Sequence, residues 1–110
     1  MGGAVHVVMA AVALTDVDLF FRAKIEAMLN AGGHRLAAAG EPPDVIVADV
    51  NRCGDPGAVV AAAGTVPVLG FGQHTDAELL RAARSAGFAR VVPRSVLAVR
   101  LGDLIAELVG

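Results

Sequence analysis

Residues 44–50 read DVIVADV, an apolar run that is rich in β-branched residues and carries an aspartate near each end. Pro42 and Pro43 precede the run, and a polar loop follows it at residues 51–56. A short, nearly continuous apolar run between turn-forming residues is typical of a strand that is covered on both faces. The stretch therefore predicts a central strand of a parallel sheet, with Asp49 at its carboxyl end.

Further apolar runs lie on both sides of this strand. Four of them predict additional strands, at residues 5–12, 34–39, 66–71 and 90–93. Apolar residues at helical spacing predict four helices, at residues 17–29, 56–64, 77–86 and 96–108. Ser95 is the predicted cap of the last helix, and Phe20 and Phe21 of the first are expected in the core. Strands that alternate with helices predict an α/β fold with helices on both faces of the sheet, in one domain over residues 1–110.

The apolar residues of the chain are mostly small. Hydrophobic residues make up 55% of the 110 residues and charged residues 18%, which excludes a disordered chain. Alanine and valine together account for 39 residues (22 and 17), and there are four phenylalanines but no tryptophan or tyrosine. Because such a core buries little area per residue, we expect close packing between elements or a partner surface.

Charge and cysteine content exclude several classes of function. The formal net charge of −2 gives no general attraction to nucleic acid, and the absence of tryptophan and tyrosine argues against base stacking. The single Cys53 excludes an internal disulfide and favours a reducing compartment. The longest apolar run, residues 7–14, is too short to span a membrane, and no basic residue precedes it as in a secretory leader. We therefore expect a cytoplasmic protein that binds neither nucleic acid nor membrane.

Polar residues gather after the predicted strands. In a doubly wound sheet, ligands bind beyond the carboxyl ends of the strands, where the strand order reverses. The candidate site residues at this edge are Asp16, Asp18, Asp49, Asn51, Arg52, Cys53, Gly72, Gln73, His74, Arg94 and Ser95. Among them, Asn51, His74 and Ser95 are expected to line a pocket. No nucleophile–base pair can be assembled from spacing, so we predict neither an enzyme nor a cofactor.

Two of these side chains leave alternatives open. His74 is either an acid–base group near Asp49, a role that histidine commonly takes in proteins, or a solvated loop residue. Cys53 is either a reactive thiol or an ordinary half-buried cysteine, and only Arg52 beside it favours the thiolate.

Three stretches resemble the receiver domain of bacterial response regulators: PDVIVAD at residues 43–49, VPVLGFG at residues 66–72 and SAGFARVVPR at residues 85–94. The resemblance covers nearly the whole chain and implies a flavodoxin-like sheet of five parallel strands in the order 2-1-3-4-5. It places Asp49 at the position of the phospho-accepting aspartate. It places Gly72 and Arg94 at the two switch positions, where the family has a serine or threonine and a lysine.

The chain departs from the receiver pattern at the residues that handle phosphate. A working receiver ends its first strand with an acidic pair that holds Mg²⁺, whereas the strand predicted here contains no acid. Asp16 and Asp18 follow later, either as a displaced acidic pair or, more simply, as residues at the start of a helix. We therefore predict no metal site, and we expect Arg94 to form an ion pair with Asp49.

A helix of the receiver pattern is also missing. Receivers carry a helix between the second and third strands, but here only about residues 40–43 separate the two predicted strands. Crossing over the first strand takes roughly 20 Å, or about six extended residues. The sequence thus predicts a second helix that is absent or vestigial, with residues 37–43 as the crossover.

These departures predict a stand-alone pseudo-receiver, similar to proteins of two-component signalling, that acts by protein–protein contact without efficient phosphorylation. The last helix carries more apolar residues than one face needs: Val96, Val99, Leu101, Leu104, Leu108 and Val109. Together with the resemblance, this predicts that the last two helices contact a protein partner or a second copy in a homodimer. Two alternatives stay open: a receiver that is phosphorylated at Asp49, and a flavodoxin-like protein that binds a small ligand at the strand ends.

Overall fold

The computed structural model describes residues 9–109, which form one parallel sheet of five strands with four helices. The strands are β1 (Ala11–Thr15), β2 (Arg35–Leu36), β3 (Val45–Asp49), β4 (Val68–Gly72) and β5 (Arg90–Pro93). The helices are α1 (Leu19–Ala31), α2 (Pro56–Ala63), α3 (Ala77–Ala86) and α4 (Arg94–Val109). The strand order is β2-β1-β3-β4-β5, and every neighbouring pair is parallel. The predicted α/β fold and strand order are confirmed.

The first strand lies later in the chain than predicted. The prediction was residues 5–12, of which residues 5–8 lie outside the described part, but β1 is Ala11–Thr15. Asp44 fixes where β1 begins to pair with β3, because its Oδ2 accepts a hydrogen bond from the Ala11 amide at 2.9 Å. The Asp44 amide in turn donates to the Ala11 carbonyl at 2.7 Å. Asp16 therefore follows β1 directly. This corrects the prediction, which placed Asp16 several residues beyond the end of the first strand.

The two faces of the sheet are covered by different helix pairs. On one face, α1 and α4 bury the large aliphatic residues Ile25, Leu29, Leu97, Leu101, Leu104 and Ile105 against the alternate strand residues Val12, Val45, Val47, Leu69 and Phe71. On the other face, α2 and α3 pack against Ala48, Val50, Val68 and Val91. Small residues permit close approach there: a Cβ at Gly70 would lie 2.6 Å from Cδ2 of Phe88. The valine-rich strands thus supply most of the small buried residues, whereas Ala83 is the one buried alanine among the described helices.

No helix lies between β2 and β3, which confirms the predicted loss of the second helix. Residues 37–44 cross over β1 as irregular chain, held by the side chain of Glu41. Glu41 Oε1 accepts hydrogen bonds from Arg35 Nη1 at 2.7 Å and from the Ala38 amide at 2.8 Å. These contacts, the Arg35 bond foremost, lower the pKa of Glu41 to about 2. The missing helix leaves its face of the sheet thinly covered, since α2 has no fully buried residue and Ile46 of β3 is half-buried.

The last helix begins earlier than predicted. α4 starts at Arg94, directly after β5 ends at Pro93, so Ser95 lies in its first turn and is not the cap. A kink at Arg100 (φ −117°, ψ 15°) divides α4 and lets both halves follow the sheet. Most of its surplus apolar residues belong to the core, and of the six predicted for a partner face only Val99 is largely exposed (85%). Within residues 9–109, no helix is long and apolar enough to cross a membrane.

The two phenylalanines of α1 have different environments, which corrects the prediction that both lie in the core. Phe21 stands one turn before the buried Ile25 and packs on Phe71, with ring centroids 5.1 Å apart. Phe20 points about 100° away from that face, as helix geometry requires, and is 92% exposed.

Candidate functional site

The carboxyl ends of the strands surround a cavity of about 190 Å³ at the point where the strand order reverses. It is lined by Asp18, Asp49, Asn51, Arg52, Phe71, Gly72, Gln73 and Arg94. We refer to this space as the Asp49 cavity. Most of the predicted site residues therefore do come together. Asp16, Cys53, His74 and Ser95 do not line this cavity; His74 and Ser95 belong to a larger cleft beside it.

Asp49 is the last residue of β3 and is 5% exposed. Its Oδ1 accepts a hydrogen bond from the Asn51 amide at 2.9 Å, which turns the chain into the loop after β3. Burial raises the pKa of Asp49, while the Asn51 hydrogen bond and the charges of Arg94 and Arg52 offset part of that rise. The carboxylate is thus held in place but costly to keep charged.

Asp16 and Asp18 take separate roles around this cavity. Asp18 caps α1, because its Oδ1 accepts a hydrogen bond from the Phe21 amide at 2.9 Å, and this bond lowers the pKa of Asp18 more than the Arg94 charge does. Asp16 is exposed and has a left-handed backbone (φ 59°), with its main-chain oxygen accepting from Arg52 Nε at 3.2 Å. Among residues 9–109, no three acidic, histidine or cysteine side chains are grouped closely enough to hold a metal ion.

Arg94 pairs with Asp18, and this corrects the predicted ion pair with Asp49. Its Nη2 lies 3.5 Å from Asp18 Oδ2, and within the described chain no ion pair joins it to Asp49. The guanidinium carbon lies 4.2 Å from the centre of the Phe21 ring and 5.7 Å from that of Phe71. A planar guanidinium stacks well on aromatic faces, so the two rings help to hold Arg94 beside Asp18.

The side chain of Asn51 ties together the loops after β3 and β4. Its Oδ1 accepts a hydrogen bond from the Gln73 amide at 2.9 Å, and its Nδ2 donates to Asp76 Oδ2 at 2.6 Å. Gly72 makes room for this amide, because a Cβ there would lie 2.9 Å from Asn51 Oδ1 and 3.1 Å from Leu80 Cδ2. We call these contacts of Asn51 with Gly72, Gln73 and Asp76 the Asn51 latch.

The latch was only partly visible in the sequence. Asn51 was predicted for a pocket, but Asp76 was not among the candidate site residues, and its carboxylate binds Asn51 instead of capping α3. The signal that could have indicated the latch is a glycine at the end of a buried strand, since it marks a close approach by another group.

No family model and no curated protein sequence matches the chain. Solved structures do match the chain. NtrX from Brucella abortus, solved in complex with ADP, is 16% identical over 93% of this chain, with a TM-score of 0.78. A response regulator from Thermotoga maritima matches at 14% identity and TM-score 0.73, covering 93% of this chain and 98% of that one. CheY4 of Vibrio cholerae matches at 19% identity and TM-score 0.71, covering 92% and 99%.

The chain has the receiver fold. It spans 27% of the NtrX chain but nearly all of the other two structures. At the strand ends of this fold, Asp49 is the last residue of β3 and Gly72 is the last residue of β4, with the Asn51 amide against it. Arg94 is the residue after β5.

The remaining candidates, Cys53 and His74, do not line the Asp49 cavity. Cys53 is half-buried, and burial, followed by the Asp16 charge, raises the pKa of its thiol, so the thiol is not activated. Its Sγ lies 3.7 Å from the Val50 carbonyl oxygen. His74 is exposed and faces the larger cleft rather than Asp49.

The raised pKa of Asp49 predicts the effect of replacing it. A carboxyl whose folded-state pKa exceeds the unfolded value contributes less to stability as pH rises through the folded pKa. We therefore expect Asp49→Asn to raise the free energy of unfolding by about 1 kcal/mol at neutral pH, because the buried charge is removed and the Asn51 bond is kept. The gain should vanish on acidification below the unfolded pKa, where Asp49 is protonated in both states.

Urea unfolding at neutral and acidic pH measures this difference. Asp103→Asn is the matched control, because Asp103 is an exposed carboxylate of α4. It should change the unfolding free energy by less than about 0.5 kcal/mol. A loss of stability in Asp49→Asn would contradict the prediction and would mean that Asp49 is paired in the folded protein.

Proposed function

We propose that this chain is a receiver-type signalling module that acts by contact with other proteins, has no turnover of its own and does not accept phosphate efficiently at Asp49. The Asn51 latch is the observation that carries the proposal. A receiver responds to phosphate with a serine or threonine hydroxyl at the position of Gly72. Here that position has no side chain, and the Asn51 amide fills the space against it.

The groups around Asp49 support the same conclusion. The receiver family implies Mg²⁺ beside the acceptor, and the donors here do not fit such an ion. Asp18 has one oxygen on the Phe21 amide and the other facing Arg94, and Asp16 does not line the Asp49 cavity. Without a cation to neutralise the phosphoryl group, transfer to a buried carboxylate is disfavoured.

Treatment with acetyl phosphate and Mg²⁺, followed by intact mass measurement, tests the first half of the proposal. We expect the wild type to stay unmodified under conditions that fully modify a receiver with a complete acidic pair, run in parallel. A phosphoryl adduct that is lost in Asp49→Asn would overturn the proposal and favour the phosphorylatable alternative. An adduct that persists in Asp49→Asn would lie elsewhere and would leave the proposal standing.

Contact through α3, β5 and α4 is the second half of the proposal. Val99 of α4 is 85% exposed, and Leu79 of α3 is 39% exposed. Arg90 of β5 and Arg100 of α4, the residue after Val99, share Glu107 at 2.9 and 3.1 Å. An exposed aliphatic residue with charged neighbours resembles the centre and rim of a modest interface.

Sedimentation velocity over a concentration series tests this contact as a homodimer. We expect the wild type to self-associate and Val99→Asp to weaken the association by about tenfold, because a charge is placed at the centre of the contact. Leu19→Asp is the control, since Leu19 is 81% exposed on α1, which is not one of the three elements proposed for this contact. A wild type that stays monomeric throughout, or equal effects of both variants, would exclude a homodimer on this surface.

A further inference from the structure

A second, larger cleft opens beside the Asp49 cavity. It has a volume of about 780 Å³ and lies between the first turns of α1 and α4 and the loop after β4. Its lining residues are Asp18, Phe20, Phe21, Lys24, Gln73, His74, Thr75, Arg94, Ser95 and Ala98. This volume falls in the range of about 300–1,000 Å³ that is common for small-molecule sites. We call it the α1–α4 cleft.

The cleft carries a positive charge on a chain whose net charge is −2. Lys24 and Arg94 both line it, and Asp18 balances only one of them. Both Asp18 oxygens are engaged, one by the Phe21 amide and the other by Arg94, so Asp18 does not neutralise Lys24. Within residues 9–109, Lys24 forms no ion pair.

Arg94 has unused hydrogen-bonding capacity at this place. A guanidinium has five N–H donors, but the one bond that Arg94 makes in the described chain is the 3.5 Å contact with Asp18. Its Nε is buried and has no hydrogen-bond partner. The guanidinium carbon lies 4.2 Å from the centre of the Phe21 ring, and this contact restricts where the remaining donors can lie. A negatively charged acceptor in the cleft would bind the terminal Nη donors best, because the buried Nε has no exposed surface that a ligand could contact.

Phe20 supplies an aromatic wall to the same cleft. Its ring is 92% exposed, although the neighbouring Phe21 is packed on Phe71. Phe20 and Lys24 are one turn apart on α1, so the exposed ring and the ammonium group lie side by side. A ring next to a cation on one helix face matches a ligand that has a flat apolar body and a negative group.

We infer that the α1–α4 cleft binds a small aromatic anion, with its ring against Phe20 and its carboxylate or phosphate between Lys24 and Arg94. The ligand chemistry follows from the charge, the free donors and the exposed ring together. The inference is independent of the proposed function, because it holds whether or not Asp49 accepts phosphate. Aromatic acids and nucleotides share this chemistry, and the test below separates them.

Titration of the protein with 1-naphthoate, followed by amide chemical shifts, tests this site. We expect saturable shifts at Lys24, Gln73 and Ala98, and about tenfold weaker binding of the neutral isostere 1-naphthamide. Lys24→Gln should weaken naphthoate binding about fivefold and Phe20→Ala about tenfold. Both residues are exposed, so neither change should impair folding.

Two matched variants and one further ligand complete the test. Arg22→Gln removes a charge and Leu19→Ala an exposed apolar side chain from the same helix, outside the cleft, and both should bind naphthoate like the wild type. Adenosine monophosphate binding more tightly than naphthoate would support the site with a nucleotide as ligand, and the reverse would support it with an aromatic acid. Absence of saturable shifts, equal affinity for naphthamide, or equal weakening in the control variants would overturn the inference.

Discussion

Gly72→Thr is expected to lower the free energy of unfolding by about 2 kcal/mol, although threonine is a better strand former than glycine. A Cβ at position 72 would lie 2.9 Å from Asn51 Oδ1 and 3.1 Å from Leu80 Cδ2. The Asn51 side chain must therefore move, and its hydrogen bonds to Gln73 and Asp76 are lost with that movement. Replacing glycine with the residue type that receivers use at this position thus damages this protein.

A double-mutant cycle with Asn51→Ala makes this prediction specific to the latch. Asn51→Ala alone should cost about 1 kcal/mol, because the Gln73 amide and Asp76 lose a partner at an exposed site. The double variant should cost about 1 kcal/mol less than the sum of the two single changes, since the clash with Asn51 has been removed. Chemical denaturation measures all three values. Additive effects, or a Gly72→Thr variant as stable as the wild type, would show that the Asn51 amide is not held in place.

His34→Leu is expected to cost about 3 kcal/mol of stability, although leucine fills a similar space. His34 is 5% exposed and joins three parts of the chain. Its Nδ1 accepts a hydrogen bond from the Ala10 amide at 3.1 Å, so the proton lies on Nε2, which donates to the Gly102 carbonyl at 3.3 Å. Leucine leaves the buried Ala10 amide beside β1 without a partner and removes the side-chain bond to the Gly102 carbonyl of α4.

Two further variants separate hydrogen bonding from packing. His34→Asn keeps an acceptor near the Ala10 amide and should recover about 1 kcal/mol relative to the leucine variant. His74→Leu is the control for the chemical change, because His74 is exposed and should shift stability by less than about 0.5 kcal/mol. If His34→Leu unfolds at the same denaturant concentration as the wild type, the buried hydrogen bonds of His34 contribute nothing measurable.

The sequence predicted the strands β3, β4 and β5 well, because each has turn residues at its boundary. The proline pair before residue 44 and Gly64 with Pro67 before β4 are examples of such boundaries. It misplaced β1, since residues 5–14 contain no turn residue and the true start depends on Asp44, which is distant in the chain. The prediction that Ser95 caps the last helix was wrong for a similar reason. β5 runs straight into α4 there, and no local pattern distinguishes a capping serine from one in the first turn.

The sequence predicted which residues line the candidate site, but it did not predict which of them contact one another. Strand-end positions identified Asp49, Asn51, Gly72 and Arg94, because the carboxyl ends of parallel strands meet at one edge. Which side chains touch depends on rotamers and aromatic neighbours that spacing does not encode. Arg94 stacks on the Phe21 ring and pairs with Asp18, whereas Asp49 accepts a hydrogen bond from Asn51 in the loop after β3.

The Asn51 latch also limits how many shapes this domain can offer to a partner. A switch needs two arrangements of similar free energy, and reversing a 1:99 population takes about 5.5 kcal/mol of differential binding. Here the amide is tied at both its oxygen and its nitrogen, and position 72 has no side chain that could exchange places with it. Under the proposed function, a partner therefore responds to the number of copies present rather than to a change of shape. Control over such a signal lies in synthesis and degradation, and its strength follows mass action.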